Sequence, residues 1–262
     1  MNMKKKNGYV NRDYRILHQA GDMEYFNVKI KDSDLAIGID CKSYKDDLQS
    51  ICYRELARIR GELEDYIAFH PEFKASFVPL KLRPGAPEIA SSMSRAASSA
   101  GVGPMAAVAG AFAQVIGEKL KSHANEIIVE NGGDIYLDSS RRRIIAVFAG
   151  KSKFTYKIGI NVSPQECPLG ICTSSGTVGH SISLGKADAV VVKGMPVAVA
   201  DAVATRVGNM IKTENDLLKA IDFVKNIQQV RGILAIKNDK MAAWGEIEIV
   251  PLTEVNNDES SR

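Results

Sequence analysis

Met23-Glu-Tyr-Phe-Asn-Val-Lys-Ile-Lys31 alternates apolar and polar side chains, and Lys31-Asp-Ser-Asp34 interrupts the pattern before Leu35-Ala-Ile-Gly-Ile39. A period of two buries one face of a strand, and a short Asp/Ser-rich break between two such runs signals a turn. The stretch reads as a hairpin. A hairpin pairs its strands antiparallel without any crossover, so it starts an antiparallel sheet.

The elements on either side carry the argument outward. Ser43 is placed as the N-cap of a long amphipathic helix, with Leu48, Ile51, Cys52, Leu56, Ile59, Leu63, Tyr66 and Ile67 at helical spacing, ending before Pro71. A proline-rich connection from Pro79 to Pro87 leads to a helix over Glu88–Ala100. Pro104 suits the first turn of a further helix, Met105 to about Ser122, whose alanines and glycines predict close packing on a sheet or another helix. Short strands are predicted around residues 126–129, 135–137, 144–148, 156–162 and 187–192, with helices over 196–211 and 214–227 and a hairpin from Gly232 to near Val250. Strands, helices, strands, helices and strands joined by short turns predict an α+β fold with largely antiparallel sheets packed with helices.

Composition narrows the function classes. The chain has 262 residues, 45% of them hydrophobic and 25% charged, with a formal net charge of +3. The basic runs Lys4–Lys6 and Arg141–Arg143 lack interleaved aromatics and read as a solvated tail and a turn, so no nucleic-acid partner is expected. No run approaches the roughly 18 apolar residues of a membrane span, and no signal peptide is apparent, so a cytoplasmic protein with no membrane partner is expected. The four cysteines, Cys41, Cys52, Cys167 and Cys172, are too few for a disulfide scaffold and are expected as free thiols. Neither they nor the histidines have the spacing of a structural zinc site.

Three segments concentrate chemistry. Gly170-Ile-Cys-Thr-Ser-Ser-Gly-Thr-Val-Gly-His-Ser181 combines Cys172 and His180 with Thr173, Ser174, Ser175, Gly176 and Thr177. Read as a glycine-rich loop, it directs backbone amides at an anion or at a Cys172 thiolate, or else Cys172 is a small buried apolar residue. Asn131-Gly132-Gly133-Asp134 follows a strand and offers side-chain oxygens beside a flexible backbone, or simply closes a hairpin. Asp201 and Thr205 lie four apart, on one face of a helix, where both oxygens suit a hard cation, or Asp201 favours the dipole of its own helix.

Together with Gly101-Val-Gly-Pro-Met-Ala-Ala-Val-Ala-Gly110 and Gly185-Lys-Ala-Asp188, these motifs in this order resemble the UPF0280 family over residues 10 to 250. That family is related to the ApbE-like flavin transferases. The resemblance implies a duplicated T-fold: a single ApbE-like domain over residues 9–252 made of two related halves, with a disordered basic tail at 1–8 and a disordered polar tail at 253–262. It also implies Asp201 and Thr205 as magnesium ligands, and Asn131–Asp134 beside a flavin nucleotide. One departure stands out: the transferases carry His-Ile-Ile-Asp-Pro-x-Thr-Gly, whereas here His180 is followed by Ser-Ile-Ser-Leu-Gly185.

The family's association with sulfide assimilation and homocysteine formation in methanogenic archaea implies sulfur transfer through a persulfide on Cys172. His180 and loop amides would stabilise its anion, and Cys172 would be the most reactive thiol. A magnesium-dependent flavin nucleotide transferase or hydrolase is the alternative, and a non-catalytic small-ligand-binding protein is a third. The expected partner is a small anionic ligand or a sulfur-transfer protein, in a chain capable of homo-oligomerising. Cys172, His180, Asn131, Asp134 and Asp201 are expected around one cleft.

Overall fold

A computed structural model of the chain describes residues 21–176 and 185–252. The opening hairpin forms as read, from β1 (Met23–Ile30) and β2 (Ser33–Asp40), paired antiparallel in full register from Met23 opposite Asp40 to Ile30 opposite Ser33. Helix α1 (Asp47–Phe69) buries Leu48, Cys52, Leu56, Ile59, Leu63 and Tyr66 along one stripe. It starts three residues later than expected. The Ser43 amide bonds the Asp40 carboxylate at 3.0 Å, so Ser43 belongs to the turn after β2 and does not cap the helix. After the single turn α2 (Glu72–Ala75), helix α3 (Glu88–Ala100) ends at Gly101, whose φ of 69° is left-handed. Pro104 opens a 3-10 turn over Pro104–Ala107, and α4 (Val108–Leu120) follows it.

Strands β3 (Ile127–Asn131), β4 (Asp134–Asp138), β5 (Arg143–Ala146), β6 (Ile158–Val162), β7 (Leu169–Ser174) and β8 (Ala189–Gly194) come next. They are followed by α5 (Val197–Met210), α6 (Leu217–Val224), β9 (Val230–Lys237), β10 (Lys240–Gly245) and β11 (Glu248–Pro251). An eight-stranded antiparallel sheet runs in the order β1-β2-β3-β4-β7-β8-β9-β10, and β11-β6-β5 form a separate small sheet. Strands β1–β4 and β7–β10 repeat one scheme, two strands, a helical excursion and two strands.

The alternation of side chains along the strands assigns the two faces of the large sheet. Tyr136, Cys172, Val190, Val192, Ile233 and Ala235 join the core shared with the helices. Their neighbours Ile135, Leu137, Ile171, Val191, Leu234 and Ile236 pack with Ile145, Ile160 and Val162 of the small sheet. Strands β4, β7, β8 and β9 are thus covered on both faces. This explains why residues 189–192 form the unbroken apolar run Ala-Val-Val-Val.

One basic run departs from its sequence reading. Arg143 is buried, its guanidinium 2.7 Å from Asp22 and 3.2 Å from Glu126. The ion cluster ties the chain entering β1 to β5, whereas Arg141 and Arg142 stay exposed. Among the described residues no single helix is long and apolar enough to cross a membrane. The expected tails at 1–8 and 253–262 lie outside the described residues.

Candidate functional site

The site grows out of one cross-strand row on the helical face of the large sheet. Asn131 of β3 stands opposite Asp134 of β4, which stands opposite Cys172 of β7, which stands opposite Val192 of β8. Three polar side chains therefore sit side by side in a row that continues as Leu35 on one flank and Val192 and Ile233 on the other. Between Asn131 and Asp134 the chain reverses at Gly132 and Gly133, with φ of 69° and 102°. L side chains avoid that region, which is why a glycine pair makes this turn. The Gly133 amide donates to the Glu130 carboxylate at 2.7 Å, so it is already used and does not face a ligand. Glu130 is the turn's lock, a role missed in the sequence although it heads the motif.

Helices α4 and α5 close over the row. The Asp201 carboxylate, on α5, accepts from the Gly110 amide at 2.9 Å and from the Ala109 amide. The start of α4 has no side-chain cap of its own, so Asp201 satisfies amides the helix leaves free. The Asn131 side-chain amide donates to the Ala109 carbonyl at 3.2 Å, gripping the same turn from the sheet side. In return, the Gln114 side chain of α4 accepts from the Val197 amide at the first residue of α5, at 2.8 Å. The helices cap each other where they cross. Gly110 makes the crossing close: a Cβ there would stand 2.7 Å from the Val197 carbonyl oxygen and 2.8 Å from the Asp201 Cβ.

Burial dominates the electrostatics. Asp134 is 6% exposed, Asp201 8% and Cys172 fully buried. Burial, then the charges of Asp201 and Glu130, push the Asp134 carboxyl well up, against the opposing Cys172 thiol and Thr173 amide. Burial pushes Asp201 up to about 7, against the amides of Gly110 and Ala109. One oxygen of Asp134, Oδ1, is buried without a hydrogen-bond partner, and among the described residues no ion pair reaches either carboxylate. An unpartnered buried carboxylate oxygen is costly and asks for a proton, a water or a cation.

For Cys172 the structure reverses the expectation of a stabilised thiolate. Its segment is a strand, not a glycine-rich loop, and its neighbours' amides serve the ladders to β4 and β8. Burial and the adjacent Asp134 and Asp201 carboxylates push its thiol well up, and Sγ donates to the Val197 carbonyl at 3.5 Å. Cys52 is pushed up by burial to about 12, and burial also raises Cys167, which packs against the small-sheet core. Only Cys41 is exposed.

The structure thus brings Asn131, Asp134, Cys172 and Asp201 together, in a nearly closed group and not an open cleft. Thr205 follows one turn after Asp201, half-buried on the same face of α5. Ser174 lies on the Cys172 face, its hydroxyl against α5 at Gly208, whereas alternation sends Thr173 to the small-sheet side. Ser175 and Gly176 follow the strand, and the Gly176 amide donates to the Ala187 carbonyl at 2.9 Å. Thr177 and His180 lie outside the described residues. Among the described residues no three His, Cys, Asp or Glu side chains stand at metal-coordinating separation.

A UPF0280 protein of Methanocella arvoryzae is 40% identical over 198 residues, covering 75% of this chain and 80% of that protein. The chain belongs to the UPF0280 family. Another UPF0280 protein, from Methanocaldococcus jannaschii, is 38% identical over 83% of this chain and 89% of its own. The family profile described as AbpE bacteria matches residues 15–226, which include every element from β1 to α6. Among solved structures, the apo flavinyl transferase ApbE of Pseudomonas stutzeri superposes with a TM-score of 0.55 at 12% identity, over 85% of this chain and 94% of that one. A mutant of the Vibrio cholerae flavin transferase ApbE gives the same score and identity over 86% and 97%. At such identity the likeness establishes the fold: this UPF0280 protein has the ApbE-like α+β architecture.

Proposed function

We propose that this UPF0280 protein binds a flavin-type nucleotide through its phosphates, with a divalent cation held at Asp134, Asp201 and Thr205. The observation that carries the reading is the pair of buried carboxylates with Asp134 Oδ1 unpartnered. All the donors named are oxygen, the set that suits a hard cation, and the ApbE likeness of the fold supports flavin as the nucleotide. With only two carboxylates in the group, the remaining ligands come from the Thr205 hydroxyl, from water and from phosphate. A bound divalent ion supplies charge to the phosphate oxygens, as it does throughout phosphoryl chemistry.

The chain's own residues do the positioning. Asp201 is held by the amides of Gly110 and Ala109, and Asn131 fixes that turn of α4 against the sheet. Gln114 fixes the first turn of α5, and with it the face that presents Asp201 and Thr205. The apolar residues around the group exclude water, which strengthens every charge interaction inside. The sulfur-carrier reading draws no support from this geometry, because a carrier thiol must be accessible and readily ionised, whereas Cys172 is buried and its thiol is pushed well up.

Equilibrium dialysis against FAD, with millimolar Mg2+ or with chelator, tests the proposal. FAD retained only with the cation, and lost in Asp201→Asn, is the expected result. FAD that does not bind, or binds equally in chelator, overturns it.

A further inference from the structure

Among the described residues β10 pairs with β9 alone, so one side of Lys240-Met-Ala-Ala-Trp-Gly245 is an open sheet edge. Register decides which groups that edge offers. The Ile236 carbonyl of β9 accepts from the Asp188 amide at 3.0 Å, on the side away from β10. In an antiparallel ladder such pairs alternate with pairs that exchange both bonds. Met241, opposite Ile236, therefore aims its amide and carbonyl outward, and so does Ala243. Gly245 adds its amide, because its carbonyl accepts from the Ile247 amide at 2.9 Å. Proteins blunt open edges with charges, prolines or bulges. At the far edge β1 exposes Glu24 and Lys29, whereas Met241 to Trp244 carry none of these devices.

The side chains select the partner. The small-sheet core reaches Leu234 and Ile236 of β9, leaving Met241 36% exposed and Ala243 exposed beyond it. Leu218 of α6, 72% exposed, stands beside the strand at a hollow lined by Leu217, Met241 and Ala242. The ends of the strand carry opposite charges, Lys240 at its start and Glu246 just past its last residue. An antiparallel copy brings each Lys240 to the end where the other chain has Glu246, so the edge complements itself.

We infer that β10 is the interface with a second copy of this chain, paired antiparallel about a two-fold axis at Ala243, so that two large sheets join edge to edge. A two-fold interface presents the same patch from both subunits, which a self-complementary strand satisfies. Ala243 exchanges both backbone bonds with its own counterpart, and each Met241 carbonyl accepts from the Gly245 amide of the partner subunit. The pairing also shelters Leu218 and Met241 from water. A six-residue edge with few flanking side chains buries little area, so the association is a weak one.

Sedimentation velocity on the full chain, from about 1 to 100 µM, reads the association, and a monomer–dimer equilibrium is expected. Ala243→Lys sets like charges opposite each other at the axis and should weaken the dimer at least about tenfold, as should Ala243→Glu. An equimolar mixture of the two variants should dimerise again, because residue 243 faces itself only at the axis. Ala243 is exposed and its backbone groups point away from β9, so both variants keep the fold. Asn27→Lys, on the exposed face of β1, is the control and should leave the association unchanged. Hydrogen exchange gives a second readout: the Met241 and Ala243 amides should be protected in the wild-type dimer and exchange fast in Ala243→Lys. A wild-type monomer at every concentration, a dimer that survives Ala243→Lys, or a mixture that stays monomeric overturns the inference. So does a monomer whose Met241 and Ala243 amides exchange slowly, since another part of the chain then covers the edge.

Discussion

The Asp201 carboxylate accepts a 2.9 Å hydrogen bond from the Gly110 amide, 91 residues earlier in the chain. That bond joins the helix of one half of the sheet scheme to the helix of the other. The Gly110 and Asp201 motifs are far apart in sequence and form one structural unit.

Gly110→Ala tests how close the helices come. In an open helix position the change stabilises by about 1 kcal/mol, because alanine is the better helix former. Here the new methyl meets the Val197 carbonyl oxygen at 2.7 Å, and backbone cannot step aside cheaply. Overpacking of this kind costs about 1–3 kcal/mol. A lower urea midpoint is expected, and an unchanged or higher one would place the helices further apart.

Reciprocal capping predicts non-additivity. Gln114→Ala removes the acceptor of the Val197 amide, and Asp201→Ala removes that of Gly110. Each loss of a cap is expected to cost about 1 kcal/mol. Because both hold one crossing, the double variant should differ from their sum by about 0.5 kcal/mol or more. Denaturant curves for the four proteins decide it, and strict additivity refutes the interlock.

The carboxylate pair predicts the slope of stability with pH in chelator. Burial raises the folded Asp201 carboxyl from 3.8 to about 7. A raised folded value means the folded state holds a proton the unfolded state has lost. Its stabilisation is complete below the unfolded pKa and disappears as the pH rises through the folded one. Wild type should lose stability between about pH 4 and pH 7, from the unfolded value to the folded one, and level off above. Asp201→Asn, which keeps an acceptor for Gly110, should flatten that slope. An equal slope in both proteins counts against the raised carboxyl.

Thiol mapping should invert the order read from the sequence. Cys41 is exposed, whereas Cys172 and Cys52 are buried and their thiols are pushed up. Brief alkylation at neutral pH, followed by peptide mapping, is expected to label Cys41 first and Cys172 only after unfolding. Early modification of Cys172 would falsify its placement between β7 and α5.

Much of the fold was legible because periodicity is local. The β1–β2 hairpin, the α1 stripe and the bounds of α3 follow from spacing and from Gly101. Residues 170–174 misled because glycine, serine and threonine suit a loop as well as a strand covered on both faces. Their pairing with β4 and β8 depends on partners that local composition does not reveal. Likewise, Arg143 looks like its neighbours in a basic run, and only Asp22 and Glu126 make it a buried ion-pair residue.

By itself the sequence determined the α+β class, the antiparallel pairing and the family, and it singled out Asn131, Asp134, Cys172 and Asp201 as candidates. Side-chain periods and turn residues are properties of short segments, and motif order survives without coordinates. Only the tertiary structure decided what those residues can do there. A carboxylate or thiol takes its acidity from desolvation and from the charges beside it. Asp134 and Cys172 become neighbours through strand register, and Asp201 joins them through a helix crossing at Gly110. Enclosed in that group, Cys172 is a buried thiol whose ionisation burial and the neighbouring carboxylates oppose, the buried reading its sequence left open beside the reactive one.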